Sequence, residues 1–318
     1  MRTPNTRTPL VALVLTPALV LTAAVLGCLA PAASASINCR YVAAGPAGPP
    51  GNRLEIRAKR FEEVVALLPG NGVNIRVMDD RRMKPLGCIG GRPTMVNLDL
   101  IVFTAGRGAL GSSFFVADAP NLGPGASFAQ GKGRGIGIVV KGRSISFGIG
   151  GSQVGDSIRM GMDGKSAAID FSPELFVVED GIDARIYAGF ASILVRGSGG
   201  DDLIAGSSFD YSQTSLDGPL RKVPTTIYGE QGSDQIAGGN YLDYLDGGPG
   251  DDLLIGAAGS DQLFGGGGKD EFWAGPGRDE IDAIDRRSGE VVQCGRGKDL
   301  ARMDLKDNDR DCESFRFP

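Results

Sequence analysis

Residues 229–282 read GEQGSDQIA, GGNYLDYLD, GGPGDDLLI, GAAGSDQLF, GGGGKDEFW and AGPGRDEID, six units of nine residues with no insertion between them. The sixth position is always aspartate and the eighth is always apolar. One phase held through six units predicts a folded repeat rather than a disordered Gly/Asp-rich linker. The aspartates are Asp234, Asp243, Asp252, Asp261, Asp270 and Asp279, and the apolar residues are Ile236, Leu245, Leu254, Leu263, Phe272 and Ile281.

These residue types suit a hard cation. Calcium takes carboxylate and backbone carbonyl oxygens, and glycine permits sharp turns that point carbonyls inward. The pattern resembles the nonapeptide of RTX (haemolysin-type) calcium-binding proteins. The resemblance implies an all-β, right-handed parallel β-roll with two units per coil, in which residues 18 apart stack.

The resemblance also implies where Ca²⁺ binds, between successive loops on each edge of the roll. The aspartate pairs would be Asp234/Asp252 and Asp252/Asp270 on one edge, and Asp243/Asp261 and Asp261/Asp279 on the other. Ile236, Leu254 and Phe272 would stack in one inner sheet, and Leu245, Leu263 and Ile281 in the other. The loop glycines of these sites are Gly229, Gly232, Gly247, Gly250, Gly256, Gly259, Gly265, Gly268, Gly275 and Gly277.

Two outlying units extend the pattern. GSGGDDLIA (197–205) places Asp202 and Ile204 in phase before a 23-residue insertion at 206–228, and CGRGKDLAR, from Cys294, places Asp299 in phase. We expect both to join the same solenoid, with Asp202 and Asp299 as further ligands. Three substitutions depart from the glycine pattern, and the Tyr241 loop is expected to bind most weakly. They are Tyr241, Ala257 and Ala274.

The remainder of the mature chain is predicted to be β-rich and less regular. Short alternating segments occur at 73–78, 95–103, 136–140, 144–149, 158–162, 167–171 and 193–195. Residues 58–68 have helical spacing, but their context favours strands. Because the strands run into the Asp202 unit, a degenerate solenoid continuous with the roll is favoured over a separate fold.

The N-terminus and the cysteines indicate export. Arg2 and Arg7 precede an apolar run, and 33–35 read Ala-Ser-Ala, a signal-peptide cleavage site that leaves Ser36 first. An alternative reading takes residues 25–28 as a degenerate lipobox that lipidates Cys28. The four remaining cysteines suggest disulfides, and proximity favours Cys39–Cys88 and Cys294–Cys312. The predicted organisation is a signal peptide (1–35), an irregular β region (36–195), calcium-binding repeats (196–282) and a disulfide-stapled cap (283–318).

The composition excludes several function classes. The chain has no histidine and no G-x-S-x-G, which rules out histidine-based triads, histidine-ligated zinc and lipase elbows. The repeats carry 12 acidic and two basic residues, which disfavours nucleic-acid binding. No segment after the leader predicts a membrane span. For a carbohydrate-active β-helix enzyme, the candidates by residue type alone are Asp79, Asp80, Glu174, Asp180 and Asp183.

The favoured function is a secreted, non-catalytic calcium-binding protein. The alternatives are a surface adhesion or matrix module with a cell-surface or glycan partner, and the carbohydrate-active enzyme. Positions seven and nine point outward, so Leu253, Ile255 and Trp273 form an apolar patch. We expect the 206–228 insertion or a partner to cover this patch, and the opposite outer face to be mostly polar.

Asp307, Asp309 and Asp311 have the spacing that begins an EF-hand loop. Cys312 takes the place of its glycine, and no glutamate follows at position twelve, so the match is incomplete.

Overall fold

Every regular element in the described part of the chain is a β-strand. There is no helix there, and so none that is long and apolar enough to cross a membrane. The computed structural model describes residues 37–44, 52–59, 63–67, 76–79, 84–91, 98–107, 112–117, 137–153, 155–163, 165–172, 184–207, 218–286 and 289–316.

The strands are β1 Asn38–Val42, β2 Arg53–Ala58, β3 Glu63–Leu67, β4 Arg76–Asp79, β5 Lys84–Pro85, β6 Leu100–Ala105, β7 Ser113–Ala117, β8 Gly137–Gly150, β9 Ser157–Asp163, β10 Ser166–Ser172, β11 Ala184–Gly199 and β12 Leu203–Ala205. They continue with β13 Thr225–Gln231, β14 Gln235–Ala237, β15 Asp243–Pro249, β16 Leu253–Ile255, β17 Gln262–Gly267, β18 Glu271–Gly277, β19 Glu280–Ala283, β20 Val291–Gly297, β21 Leu300–Met303, β22 Asn308–Arg310 and β23 Ser314–Arg316.

The nonapeptide units form two parallel ladders. One runs β12–β14–β16–β18–β20–β22, and the other runs β13–β15–β17–β19–β21–β23. The eighth-position residues stand in register along each ladder and are fully buried, so the predicted stacking of residues 18 apart is confirmed. The stacks are Ile236–Leu254–Phe272 and Leu245–Leu263–Ile281.

Both outlying units belong to the same ladders, as expected. Ile204 pairs with Ile236 across the insertion, and Ala301 pairs with Ile281. Of the insertion, residues 208–217 lie outside the described part of the chain. Its other end returns to the roll, because the Leu220 N–H donates to the Gly206 carbonyl (3.0 Å) and the Leu220 side chain is buried in the core.

Parallel pairing continues before the repeats but is interrupted. β9 pairs with β12, β11 with β13 and β8, β8 with β6 and β7, and β6 with β2. Antiparallel pairs join β1 to β2, β3 to β4, β4 to β5, and β10 to both β9 and β11. The region is therefore all-β and less regular than the roll, as predicted, and it mixes strand directions.

Several local expectations are resolved. Residues 63–67 form a strand, as the context favoured, and not a helix. β7 was not among the predicted segments, yet it supplies Phe114, whose ring lies 4.9 Å from that of Phe103 and 5.9 Å from that of Phe147. In the region without repeats, this aromatic stack fills the core. In the roll, the stacked apolar side chains at the eighth position fill it instead.

Two disulfides close the two ends of the β structure, and both predicted pairings are confirmed. Cys39 joins Cys88, and Cys294 joins Cys312 across 18 residues. In the loop-closure account, a bridge of that span is worth about 3 kcal/mol. The second bridge ties β20 to the turn that follows β22.

Candidate metal centre

The sixth-position aspartates form one column on each edge of the roll. On the first edge, Asp234, Asp252 and Asp270 stand in successive coils, preceded by Asp202. On the second edge, the column consists of Asp243, Asp261, Asp279 and Asp299. Each of the predicted neighbours is thereby brought together, because the parallel register sets residues 18 apart side by side.

One carboxylate oxygen of each aspartate binds the preceding coil. The Asp234 N–H donates to Asp252 Oδ1 (2.7 Å), and the Asp252 N–H donates to Asp270 Oδ1 (3.0 Å). On the second edge the Asp243 N–H donates to Asp261 Oδ1 and the Asp261 N–H to Asp279 Oδ1, both at 2.9 Å. Asp202 and Asp299 extend the two columns with bonds of 2.8 and 2.9 Å. Asp234 and Asp279 therefore each have a column neighbour on both sides.

The other carboxylate oxygen is buried and has no hydrogen-bond partner. This holds for Oδ2 of Asp202, Asp234, Asp252, Asp261, Asp279 and Asp299. Leaving a buried charged oxygen without a partner costs free energy. The columns therefore present a series of anionic oxygens that a cation can satisfy.

Backbone carbonyls converge on the same points. A Cβ built on Gly247 would meet Asp252 Oδ2 and the Gly265 carbonyl oxygen, at 2.7 Å from the latter. A Cβ on Gly256 would meet the Ala274 carbonyl oxygen at 2.5 Å and Asp261 Oδ2 at 2.9 Å. The first-position glycine thus leaves open a cradle of one carboxylate and one carbonyl oxygen, and hard oxygens of this kind fit Ca²⁺. The same arrangement surrounds Gly197, Gly229 and Gly238.

The remaining loop glycines allow a close approach between coils. At Gly265 an added Cβ would meet Asp270 Oδ2. At the fourth position it would meet a backbone carbonyl of the preceding coil, and at Gly275 the Ala257 carbonyl. The fourth-position glycines are Gly232, Gly250, Gly259, Gly268 and Gly277. No three Asp, Glu, Cys or His side chains in the described residues come together around one point, so backbone carbonyls are an essential part of these cradles.

The departures from the glycine pattern leave the backbone path intact. Ala257 adopts a left-handed conformation (φ 70°), which costs strain in a residue with a Cβ. The Tyr241 carbonyl still points at Gly259 in the next coil. Asp243, in the Tyr241 unit, differs from the six aspartates whose Oδ2 has no partner, because both of its oxygens accept hydrogen bonds. Oδ1 accepts from Thr225 N–H and Oγ, and Oδ2 accepts from Gly239 N–H (2.7 Å).

Three column members were missed in the sequence. Asp156 precedes Asp202 on the first edge, and its N–H donates to Asp202 Oδ1 (2.7 Å). The signal was present, because GSQVGDSIR (151–159) carries Asp at position six and Ile at position eight. Both Asp156 oxygens accept hydrogen bonds from Ser152, at 2.5 and 3.0 Å. On the second edge, Thr225 stands before Asp243, and Glu313 accepts from the Asp299 N–H (2.8 Å).

The pKa values of the column aspartates are raised. Burial is the largest cause, and neighbouring carboxylates add to it, while the backbone N–H donors act in the opposite direction. The pKa is raised to about 8 for Asp202 and Asp261, about 7 for Asp252, and about 6 for Asp234 and Asp279. A cation in the cradle would favour the charged forms.

The metal-free protein should therefore be more stable at pH 5 than at pH 8. These folded-state pKa values lie above the ordinary 3.8, so the folded chain binds more protons than the unfolded chain between about pH 4 and pH 8. Its stability must fall as pH rises through that window. Thermal unfolding in EDTA at the two pH values measures this, and calcium affinity should change the opposite way, weakening about tenfold or more from pH 8 to pH 6. A metal-free melting temperature that rises with pH would contradict this assignment.

The two outer faces carry different side chains. Trp273 is 47% exposed, and its indole N–H donates to Glu271 (2.7 Å). Leu220 of the insertion lies in the core, while residues 208–217 lie outside the described part of the chain, so the cover of this patch stays a prediction. The opposite face carries one aromatic strip among its polar residues: the Tyr228 and Tyr244 rings lie 5.7 Å apart, and the Tyr244 and Phe264 rings lie 5.0 Å apart.

The enzyme candidates gain no support from position. Asp79 ends β4, and nothing is described of its side chain, while Asp80, Glu174, Asp180 and Asp183 lie outside the described residues.

The fold and the columns define a metal-binding β-roll. Residues 228–263 and 246–281 match the family of RTX calcium-binding nonapeptide repeats. The segment 228–281 is therefore a run of RTX repeats, which bind Ca²⁺, and both the predicted resemblance and the predicted ligand are confirmed. No curated protein and no solved structure gave a match to the chain.

Proposed function

We propose that this is an exported calcium-binding protein whose roll folds when Ca²⁺ enters the cradles between coils. The observation that supports this most directly is the buried Oδ2 of Asp202, Asp234, Asp252 and Asp261, which has no hydrogen-bond partner and lies beside a backbone carbonyl. The proposed ligands are the column aspartates and the carbonyls of the loops, whose glycines keep the cradles open. The aspartates are Asp202, Asp234, Asp243, Asp252, Asp261, Asp270, Asp279 and Asp299.

Export is supported by the leader and by chemistry. The predicted leader at 1–35 would be cleaved before Ser36, and disulfides such as the two found here persist mainly in oxidising compartments. Extracellular calcium is abundant, which suits modules whose affinity lies at about 10⁻⁴–10⁻³ M. We therefore place the calcium-loaded roll outside the cell.

Substituting column aspartates should remove ions in a graded way. Asp252→Asn and Asp261→Asn should each bind one to two fewer Ca²⁺, because each stands between two neighbours. Asp243→Asn should lose least, because both of its oxygens already accept hydrogen bonds. Ion counts by mass spectrometry after equilibrium dialysis measure this. Asp251→Asn, the exposed neighbour of Asp252, is the matched control, and equal counts in all four variants would refute the proposed ligands.

The aromatic strip favours surface adhesion as a second candidate function. Tyr228, Tyr244 and Phe264 lie partly exposed on the outer face, with Gln262 and Asp246 beside them. Aromatic faces flanked by hydrogen-bonding groups suit the stacking of sugar rings, so the proposed partner is a cell-surface glycan.

A glycan array tests this second candidate. Tyr244→Ala should lower binding several-fold and up to about tenfold, since a stacked aromatic contact contributes on the order of 0.5–1.5 kcal/mol. Tyr241→Ala, on an exposed loop, is the control. Binding without turnover separates adhesion from a carbohydrate-active enzyme, and release of products would favour the enzyme. We assign no catalytic role to any residue.

A further inference from the structure

The cap holds a buried carboxylate that the repeats do not explain. Glu290 is 1% exposed, and neither of its carboxylate oxygens has a hydrogen-bond partner. It stands just before β20, whose Val292 pairs with Phe272, so it follows Asp270 at the same level of the first edge. The family match ends at residue 281, and no repeat pattern assigns this position a ligand.

A second carboxylate faces Glu290 from the next coil. Asp307 stands just before β22, and its carboxyl lies against that of Glu290, while Asp285 adds a further negative charge on the Glu290 side. The Asp307 oxygens accept N–H groups from Gly289 (3.3 Å) and Asp304 (2.7 Å). Each Asp307 oxygen accepts one of these bonds and so keeps a lone pair for a cation, unlike Asp243 Oδ1, which accepts two.

Two adjacent turns frame this pair. Asp304 accepts the N–H groups of Asp285 (3.1 Å) and Arg286 (2.8 Å), which ties the turn after β19 to the turn after β21. The Asn308 N–H donates to the Glu290 carbonyl (3.0 Å). The backbone around the two carboxylates is therefore fixed before any ligand arrives.

We propose that Glu290 and Asp307 hold one Ca²⁺ that locks the cap, at a site that continues the first-edge column beyond the repeat cradles. A proton shared between the two carboxyls would satisfy only one of the Glu290 oxygens, whereas both oxygens can coordinate a divalent ion. No third carboxylate completes the site, so backbone carbonyls and water supply the other oxygens. The EF-hand spacing of Asp307, Asp309 and Asp311 is not the basis of this site, because Asp309 is exposed on β22.

The alternative occupant is the shared proton. Burial, and then Asp307, raise the pKa of Glu290 to about 7, so a protonated pair would persist near neutral pH without metal. Glu290→Gln distinguishes the two, because glutamine mimics the protonated acid and cannot supply the charge that a calcium ion needs.

The experiment compares the full chain with Glu290→Gln and with Asp309→Asn, an exposed acidic control in the same cap. At pH 7.5 with Ca²⁺, Glu290→Gln should bind one ion fewer, and amide exchange over 289–308 should be about tenfold faster. Asp309→Asn should match the parent chain in both. An ion count and cap protection unchanged by Glu290→Gln would overturn the proposal in favour of the shared proton.

Two further variants keep the result decisive. If Glu290→Gln does not fold, Asp307→Asn should show the same loss of one ion, and an unchanged count there would equally overturn the site. Asp252→Asn should lose ladder ions while protection at 289–308 survives. If no variant alters any ion count, the function proposed for the repeats fails as well, whereas failure at Glu290 and Asp307 alone leaves the repeats intact.

Discussion

Removing calcium at pH 8 should unfold the roll and leave the N-terminal strands folded. In EDTA the β signal in circular dichroism should fall, and amide exchange over 225–283 should accelerate about 100-fold or more. Strands β6 and β8 should stay protected, because the Phe103–Phe114–Phe147 stack holds them without any aspartate column. Adding excess Ca²⁺ should restore the roll, and Mg²⁺ should not, because its small octahedral shell does not fit carbonyl cradles.

The expected size of this effect follows from charge. Stacked strands lie about 4.8 Å apart, and two unit charges about 5 Å apart repel by roughly 3 kcal/mol at an effective dielectric near 20. The interior aspartates contribute several such pairs, and a whole domain has a net stability of only about 5–15 kcal/mol. A metal-free roll with ionised columns therefore cannot persist at pH 8. An unchanged spectrum in excess EDTA, with 225–283 still protected, would show that the columns do not depend on metal.

The roll was predictable because its register leaves no freedom. Each coil repeats the same 18-residue pattern. The position of one apolar residue, such as Leu254, therefore sets the position of Ile236 before it and Phe272 after it. A one-residue slip would turn every core side chain outward. The aspartate columns follow from the same register, which is why their neighbours could be paired from the sequence.

The ends of the columns could not be predicted, because the 18-residue period that fixes the roll does not extend to them. Between Phe272 and Val292, and between Ile281 and Ala301, the coil is 20 residues long and the nine-residue phase is lost. Glu290 and Glu313 therefore continue the columns without standing at a sixth position of any unit. Asp156 has the right phase but is 46 residues from Asp202, a separation that hides their pairing.

The antiparallel pairing of β9 and β10 has a local sequence signal that is independent of the repeats. Asp163 pairs with Ser166, and the two residues between them in the sequence are Gly and Lys. Two-residue loops that begin with glycine favour β-hairpins. Alternating segments at 158–162 and 167–171 predicted two strands correctly, but alternation carries no information on whether neighbouring strands are parallel.

Gly268→Ala should be far more damaging than Gly267→Ala, although the two glycines are adjacent. A Cβ on Gly268 would run into the Gly250 carbonyl oxygen, a backbone atom of the neighbouring coil that cannot move alone. A Cβ on Gly267 would meet nothing within 4 Å. The Gly268 variant should therefore lose about 2–3 kcal/mol or more, as overpacking does, while the Gly267 variant should stay within about 0.5 kcal/mol of the parent or gain slightly.

Urea unfolding in saturating Ca²⁺ measures both variants under one condition. The two variants have the same composition and are unfolded in the same solvent. A difference in their free energies of unfolding therefore reports how closely the coils stack, and not how tightly Ca²⁺ binds. Tyr241, which holds the same fourth position, follows Asn240, whose N–H donates to the Leu220 carbonyl of a segment (218–224) that is not a nonapeptide coil. Equal stabilities for Gly267→Ala and Gly268→Ala would mean that the coils do not stack at this spacing, and the cradles would fail with them.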